Sequence, residues 1–255
     1  MYYRNENQFK DENGYIIDDL WYPRVTSIVQ IKSKPALAFF YQDVGSQKKA
    51  DEIKQRAADE GTLVHETAQA IMLGKTPIVD DNIKPAIEAF INFFGHNDIR
   101  TEEAWIEKRI AHRDERYAGT VDALAHINGK FGVMDIKTSQ AIYRDYNLQT
   151  AAYFASLHDT FCDLETRWIL RIDQQQTCRR CGATLRTKGG REKIKNPYYD
   201  GLVSPCPKDE HEWGDVKGII EFQEFPYWHD DYNAFLGAKR LWEWEHNYWL
   251  RKIGY

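Results

Sequence analysis

Three ionisable residues within one short stretch carry the plainest chemistry of this chain. Gly119–Lys137 reads GTVDALAHINGKFGVMDIK and holds Asp122, Asp135 and Lys137. Val121, Ala123 and Ala125 alternate with Asp122, Leu124 and His126, which is the period of a strand. Asn128-Gly129 tolerates positive φ at both positions and signals a hairpin turn. Phe131, Val133 and Met134 then lead into Asp135-Ile136-Lys137. Asp135 and Lys137 stand two apart, so they leave the same face of their strand. Two buried carboxylates need cations, and Lys137 supplies one charge against two. A hard divalent metal would balance the rest.

The flanking segments must position that hairpin. Residues 1–30 read as a short hairpin and lead-in, with a turn at Glu12-Asn13-Gly14. Thr26-Ser27 either caps a following helix or holds a phosphate. Ser33-Lys34-Pro35 starts a helix, and a charged helical run covers roughly Ser46–Ala58. Lys48, Lys49, Lys54 and Arg56 there form either a solvated face or a basic wall. Gly61 lets the chain turn closely, and a new helix then runs to about Leu73 with His65 in its first turn. A lone histidine serves as a structural hydrogen-bonder more often than as a ligand. Ile83, Ile87, Phe90, Ile91 and Phe94 recur at helical spacing and form a core stripe. Residues 103–112 alternate as a strand with Trp105, Glu107 and Arg109 on one face. Glu107 points either into the acidic site or to solvent. Asp145–Leu157 reads as a helix on which Gln149 and Tyr153, four apart, share a face. Thr166–Ile172 and Val216–Phe225 read as strands, and one last helix spans roughly Asp231–Arg251.

A second cluster sits between those last two strands. Cys178-Arg179-Arg180-Cys181-Gly182 has the form of a zinc knuckle, in which a glycine turn lets two thiolates reach one ion. Cys206 and His211 complete a Cys₃His set; Cys162 is the less favoured substitute. The intervening stretch has too little apolar content for a core of its own, so a structural zinc staple would order it. Arg179, Arg180, Arg186, Lys188, Arg191, Lys193 and Lys195 make it locally basic, as a polyanion contact or as a solvated surface.

Composition sets outer limits. The 255 residues suit one elaborated domain or two small ones. The formal net charge is −5, so no global basic field draws the chain to nucleic acid. Eight Trp, 15 Tyr and 12 Phe are read mostly as core, with a few free to stack on bases. Four cysteines do not form a disulfide framework in a chain of this size. No secretory segment and no membrane-crossing apolar run are evident, so a cytoplasmic location is expected.

In order, the chain carries GxxxH (Gly61, His65), GTVD (Gly119–Asp122), DIK (Asp135–Lys137) and QxxxY (Gln149, Tyr153). This ordered set resembles the PD-(D/E)XK nuclease superfamily in its RecB-like exonuclease branch, of the phage and mitochondrial genome maintenance type. The lead-in YPRVTSI and the KPAL helix start are similar as well. The resemblance covers roughly residues 22–157 and leaves the Cys-bearing insertion outside it.

The resemblance implies an α/β fold: a restriction-endonuclease-like central mixed sheet flanked by helices. Residues 1–255 would form a single nuclease domain, with residues 174–216 as an inserted zinc-binding subdomain. His65, Asp122, Asp135 and the Ile136 carbonyl would hold Mg²⁺ or Mn²⁺. Lys137 would be the motif lysine, Gln149 and Tyr153 would position substrate or support Lys137, and Glu107 would be an auxiliary acid. Some relatives hold an iron–sulfur cluster with an N-terminal cysteine; the first cysteine here is Cys162, which favours zinc. The implied activity is a metal-dependent DNA exonuclease acting on ends or single strands. The rivals are a structure-specific endonuclease on the same fold and a non-catalytic DNA-binding protein. The setting would be phage or bacterial recombination, replication or repair, with a single-strand annealing or recombination protein as partner.

Overall fold

Asn128 adopts φ +51° and Gly129 φ +88°, the paired left-handed conformations of a type I′ turn. The computed structural model describes residues 3–32, 35–197, 206, 207 and 209–255. The chain opens with α1 (Glu6–Asn13), β1 (Gly14–Ile17), β2 (Leu20–Pro23) and α2 (Val25–Val29). Helices α3 (Pro35–Val44), α4 (Gln47–Met72) and α5 (Lys84–His96) follow. Strands β3 (Ile99–Arg100), β4 (Ile106–His112), β5 (Tyr117–Ile127) and β6 (Lys130–Lys137) come next, with a 3-10 turn at Glu103–Trp105. Helix α6 (Asp145–His158) leads to β7 (Thr166–Thr177), and β8 (Thr184–Lys188) pairs with β9 (Arg191–Lys195). The chain closes with β10 (Lys217–Glu224), α7 (His229–Glu245) and α8 (Asn247–Lys252).

Among the described residues, β3 to β10 form one mixed sheet, so the fold is α/β with flanking helices. Strands β6 and β7 run parallel with α6 as their crossover, and every other pairing is antiparallel. Strand β7 is the hub. It pairs with β6 and β10 along most of its length, and its last two residues pair with β8.

The sheet buries both faces. On one, Val121, Leu124 and Val133 meet Val25 and Ile28 of α2, Tyr153 and Phe154 of α6, and Phe235 of α7. On the other, Ala123, Met134 and Trp168 meet Val64 and Ala68 of α4 and Ile87 and Phe90 of α5. No helix of the described residues is long and apolar enough to cross a membrane.

Several local expectations give way to tertiary structure. Gly61 does not turn the chain: α4 runs unbroken through it for 26 residues. Its role is clearance, because a Cβ there would lie 2.9 Å from Thr138 Oγ1. His65 therefore sits well inside a helix. Thr26 and Ser27 lie within α2 and do not cap it; Arg24 precedes the helix without a side-chain capping bond. The expected Ser33-Lys34 start of α3 lies outside the described residues. The last helix is two helices, which meet at His246 (φ −100°, ψ 11°) and place Trp242 and Leu250 in one core. Leu241, Trp244 and Tyr248 on these two helices are exposed.

Strand β4 departs most from simple alternation. Ile106 packs on the α4–α5 side and Ile110 on the opposite side, although both are even-numbered. Strand β5 switches in parallel: Val121 lies on the α6 side and Ala123 on the other. The change falls between them, at Glu107 and Asp122, which drop out of an otherwise constant pairing register. Glu107 takes φ +49°, a left-handed backbone that costs a residue with a Cβ about 1–2 kcal/mol.

Arg167 of β7 ties the α6 side together. Its side chain is fully buried and donates to the carbonyls of Phe225 (3.0 Å), Asn147 (2.8 Å) and Tyr227 (2.8 Å) and to Asp231 Oδ2 (2.6 Å). Removing it orphans a carboxylate and several carbonyls at once. Arg167→Ala should lose about 3–5 kcal/mol in urea unfolding. A loss below about 1 kcal/mol would show that the network contributes little.

Candidate active site

Strand β6 ends where α4, α6 and the disturbed β4–β5 pair converge. Asp135 and Lys137 face α6, with Lys137 Nζ 2.5 Å from Asp135 Oδ2. Gln149 Nε2 donates to Asp135 Oδ1 (3.0 Å) and to Tyr153 Oη (3.0 Å). One amide thus uses its two N–H groups on both partners and fixes the carboxylate plane. Asp122 Oδ2 accepts the Ile136 backbone N–H at 2.7 Å. His65 Nδ1 stands 3.7 Å from the same Oδ2, too far for a direct hydrogen bond. The structure therefore brings His65, Asp122, Asp135, Ile136, Lys137, Gln149 and Tyr153 into one place.

Two motif glycines have a steric reason here. A Cβ on Gly119 would lie 2.5 Å from the Tyr153 ring, so the GTVD glycine admits the tyrosine of QxxxY. Gly61 in turn admits Thr138, the residue after the DIK lysine.

Glu107 lies at the rim. Its side chain is exposed, and Oε1 accepts from Gln69 Nε2 at 2.5 Å. Glu107, Gln69, His65, Gly61 and Thr138 line one cavity of about 570 Å³. His65, Ile136, Lys137, Tyr146, Arg186 and Lys188 line a neighbouring cavity of about 410 Å³. Sequence reasoning missed Gln69 and Tyr146. Both carried a readable signal: Gln69 lies four residues after His65, and Tyr146 three before Gln149, each on the same helical face. The Lys137 ammonium stands 5.0 Å from the centroid of the Tyr146 ring.

Electrostatics sharpen the site. Burial pushes the Asp122 and Asp135 carboxyls up to about 6, against the pull of Lys137. Glu107 adds to the rise at Asp122, and Asp122 adds to it at Asp135. Burial pulls Lys137 down, but Asp135 and Asp122 outweigh it and hold the ammonium above its usual value. Burial and then Lys137 keep His65 below its ordinary value, which favours a neutral imidazole. Burial, followed by Asp135 and Asp122, holds the Tyr153 phenol well above 10.0. Asp135 Oδ2 is buried and, among the described residues, its close partner is the Lys137 ammonium.

The cysteine insertion forms a second centre. One donor atom from each of Cys178, Cys181, Cys206 and His211 lies within 4.8 Å of the others, so the group could hold a metal such as zinc. Among the described residues it is the one His/Cys/acid group with donors so close. The knuckle closes through Gly182 N–H to the Cys178 carbonyl (3.0 Å), with Gly182 at φ +74°. Arg179 N–H to the Glu212 carbonyl (2.8 Å) joins the two arms. Burial works against the Cys178 thiolate, yet the Cys181 N–H and His211 bring the thiol down to about 6. Burial and the neighbouring Cys181 and Cys178 send Cys206 up to about 11. Three thiolates cannot coexist there without a cation.

No protein-family model matches the chain, and no curated protein matches it significantly. The grouping of these residues therefore rests on their geometry.

Two predictions belong to these centres. Asp122 has a folded-state value near 6 against an ordinary 3.8, so the folded chain binds its proton more tightly. The metal-free protein then loses stability as pH rises from about 4 through about 6. Asp122→Asn does not titrate. Its stability relative to wild type should grow across that window in urea titrations without added divalent ion; a pH-independent difference would refute the shift. Protein purified without chelator should carry one zinc per chain by elemental analysis, and Cys181→Ser should lose it with a lower Tm. Metal-free protein whose Tm does not respond to added zinc would remove the staple.

Proposed function

We propose that this chain is a metal-dependent DNA exonuclease with a restriction-endonuclease-like fold of the PD-(D/E)XK type. It would act on ends or single strands in phage or bacterial recombination, replication or repair. The observation that carries this reading is Asp135. A buried carboxylate at the end of a central strand has one oxygen that meets only the Lys137 ammonium among the described residues, and a second buried carboxylate, Asp122, acts on it electrostatically. A packing role does not account for two buried carboxylates served by one lysine, since burying the second acid raises a cost that a single ammonium only partly offsets.

His65, Asp122, Asp135 and the Ile136 carbonyl would hold Mg²⁺ or Mn²⁺, a fit for hard oxygen donors with one imidazole. Such an ion supplies an acidified water and neutralises charge on a phosphate. The donor atoms stand farther apart than those of the cysteine centre, and Lys137 occupies Asp135 Oδ2 in the meantime. Lys137 is thus the resident counter-charge. Once released from Asp135, its ammonium donates to the attacking water or to a phosphate oxygen. Gln149 keeps Asp135 in plane, and Tyr153, held protonated, anchors Gln149. Gln69 holds Glu107 at the rim, where that carboxylate would serve as the auxiliary acid.

The decisive assay uses end-labelled linear single- and double-stranded DNA beside circular DNA, with Mg²⁺ or Mn²⁺. Linear substrates should be degraded and circles spared, and Lys137→Ala should cut at least about 100-fold more slowly. Cutting of circles would replace the exonuclease by an endonuclease. No cutting with either ion would leave a DNA-binding protein.

A further inference from the structure

The β8–β9 hairpin is no passive appendage of the cysteine centre. Residues 184–197 hold Arg186, Lys188, Arg191, Lys193 and Lys195 against one acid, Glu192, in a chain of net charge −5. The pairing register sets Arg186 opposite Lys193 and Lys188 opposite Arg191. Like charges directly opposite one another destabilise a ladder. Three of the five have acid partners from elsewhere: Arg186 meets Asp173 at 2.7 Å, Lys188 meets Glu60 at 3.7 Å, and Arg191 meets Asp43. Lys193 and Lys195 are exposed and, among the described residues, have no carboxylate within 4.0 Å. Lys193 Nζ donates to the neutral Gln140 Oε1 (3.0 Å).

This cationic face leads to the carboxylates. Arg186 and Lys188 line the 410 Å³ cavity with His65 and Lys137. Arg171, Arg186, Lys193 and Lys195 line an adjoining cavity of about 640 Å³. The two share Gln140 and Arg186, so one basic cleft runs from the hairpin to the DIK strand.

The reverse face of the hairpin is pinned. Leu185 pairs with Ile194, and Ile194 packs against the buried cluster of Cys178, Cys181 and Ala183. At the turn, Gly189 N–H donates to Glu60 Oε1 (2.9 Å) and its carbonyl accepts from Arg56 Nε (3.0 Å). A Cβ on Gly189 would lie 2.3 Å from the Ile53 carbonyl oxygen, so hairpin and α4 are in close contact. Arg186 Nη2 donates to the Thr138 carbonyl (2.9 Å), directly after Lys137.

We propose that this face is the wall that seats the sugar-phosphate backbone of the strand entering the site, and that the metal-bound cysteine centre holds the wall in place. The inference rests on the nuclease reading for its substrate. Its chemistry is the recognition of a polyanion: mobile ammonium groups, aligned on one face, gain by releasing the counterions of phosphates.

The test is fluorescence anisotropy of a labelled single-stranded oligonucleotide and of its duplex, with Ca²⁺ at several salt concentrations and the full chain. Lys193→Ala/Lys195→Ala should weaken binding. The slope of log Kobs against log salt should become shallower by about 1.4 for the single strand, about 0.7 per cation removed. Lys75→Ala/Lys84→Ala, an equal loss of charge at exposed positions outside the cleft, should leave the slope unchanged. Cys181→Ser should reproduce the hairpin defect; if it unfolds, the lysine variants carry the test alone. Wild-type binding matched in affinity and slope by the hairpin variant would overturn the wall, even if the protein cuts DNA. Absence of wild-type binding to both strands and duplex would overturn it as well. Hairpin-dependent binding without cleavage under Mg²⁺ or Mn²⁺ would keep the wall and remove the nuclease reading.

Discussion

Burying Asp135 beside Asp122 is the constraint around which the rest of the molecule is arranged. Desolvation disfavours both charges, Asp122 adds to the cost at Asp135, and Glu107 adds to it at Asp122. The neighbouring groups answer that cost in turn. Lys137 supplies a charge, the Ile136 N–H and the Gln149 amide supply hydrogen bonds, and Tyr153 fixes Gln149. Helix α6 must approach β5 closely enough for Tyr153 to do so, and Gly119 leaves the room. Helix α4 must approach the end of β6 to bring His65, and Gly61 leaves room there. The motif residues are thus coupled through sterics as well as through chemistry.

The disturbance at Glu107 and Asp122 belongs to the same constraint. In a regular strand, Asp122 would share a face with Thr120 and Leu124, and the faces of β4 and β5 would alternate without interruption. Both strands instead change face at one cross-strand level while keeping register. Two residues released from ladder pairing can aim carboxylates into the space between α4 and β6. The left-handed backbone of Glu107 is the local cost. Such strain persists only where the surroundings enforce it, here through the Gln69 bond and the packed strand ends on either side.

Features set by local period and turn chemistry were legible in the sequence. The Asn128-Gly129 hairpin, the shared face of Asp135 and Lys137, the Gln149–Tyr153 face and the Cys178–Gly182 knuckle all follow from spacings of two to four residues. What stayed hidden depends on distant partners. Gly61 looks like a breaker in its own sequence, and Thr138, far along the chain, explains it. The facing switch at Glu107 has no periodic signature, since alternation on either side of it is normal. His246 divides the last helix because Trp242 and Leu250 both seek the core beneath α1, which no window of the helix reveals. The docking of the β8–β9 hairpin on α4 joins residues more than a hundred positions apart.

That docking changes how the two centres relate. Their donors are chemically sorted: thiolates and one imidazole in the insertion, carboxylates with one imidazole at β6. The thiolate-rich set suits a soft or borderline ion such as zinc, whereas carboxylate oxygens are hard donors. The centres are joined mechanically. Strand β7 runs from beneath Asp135 into the hairpin, and Arg171 bonds both Asp173 and Glu221 on the way. Asp173 also accepts from Arg186, whose other arm holds the Thr138 carbonyl. A metal held by the cysteine centre would order the hairpin that supplies Arg186. Arg186 bonds the carbonyl of Thr138, the residue after Lys137, so the order of the insertion would reach the cation beside the buried carboxylates.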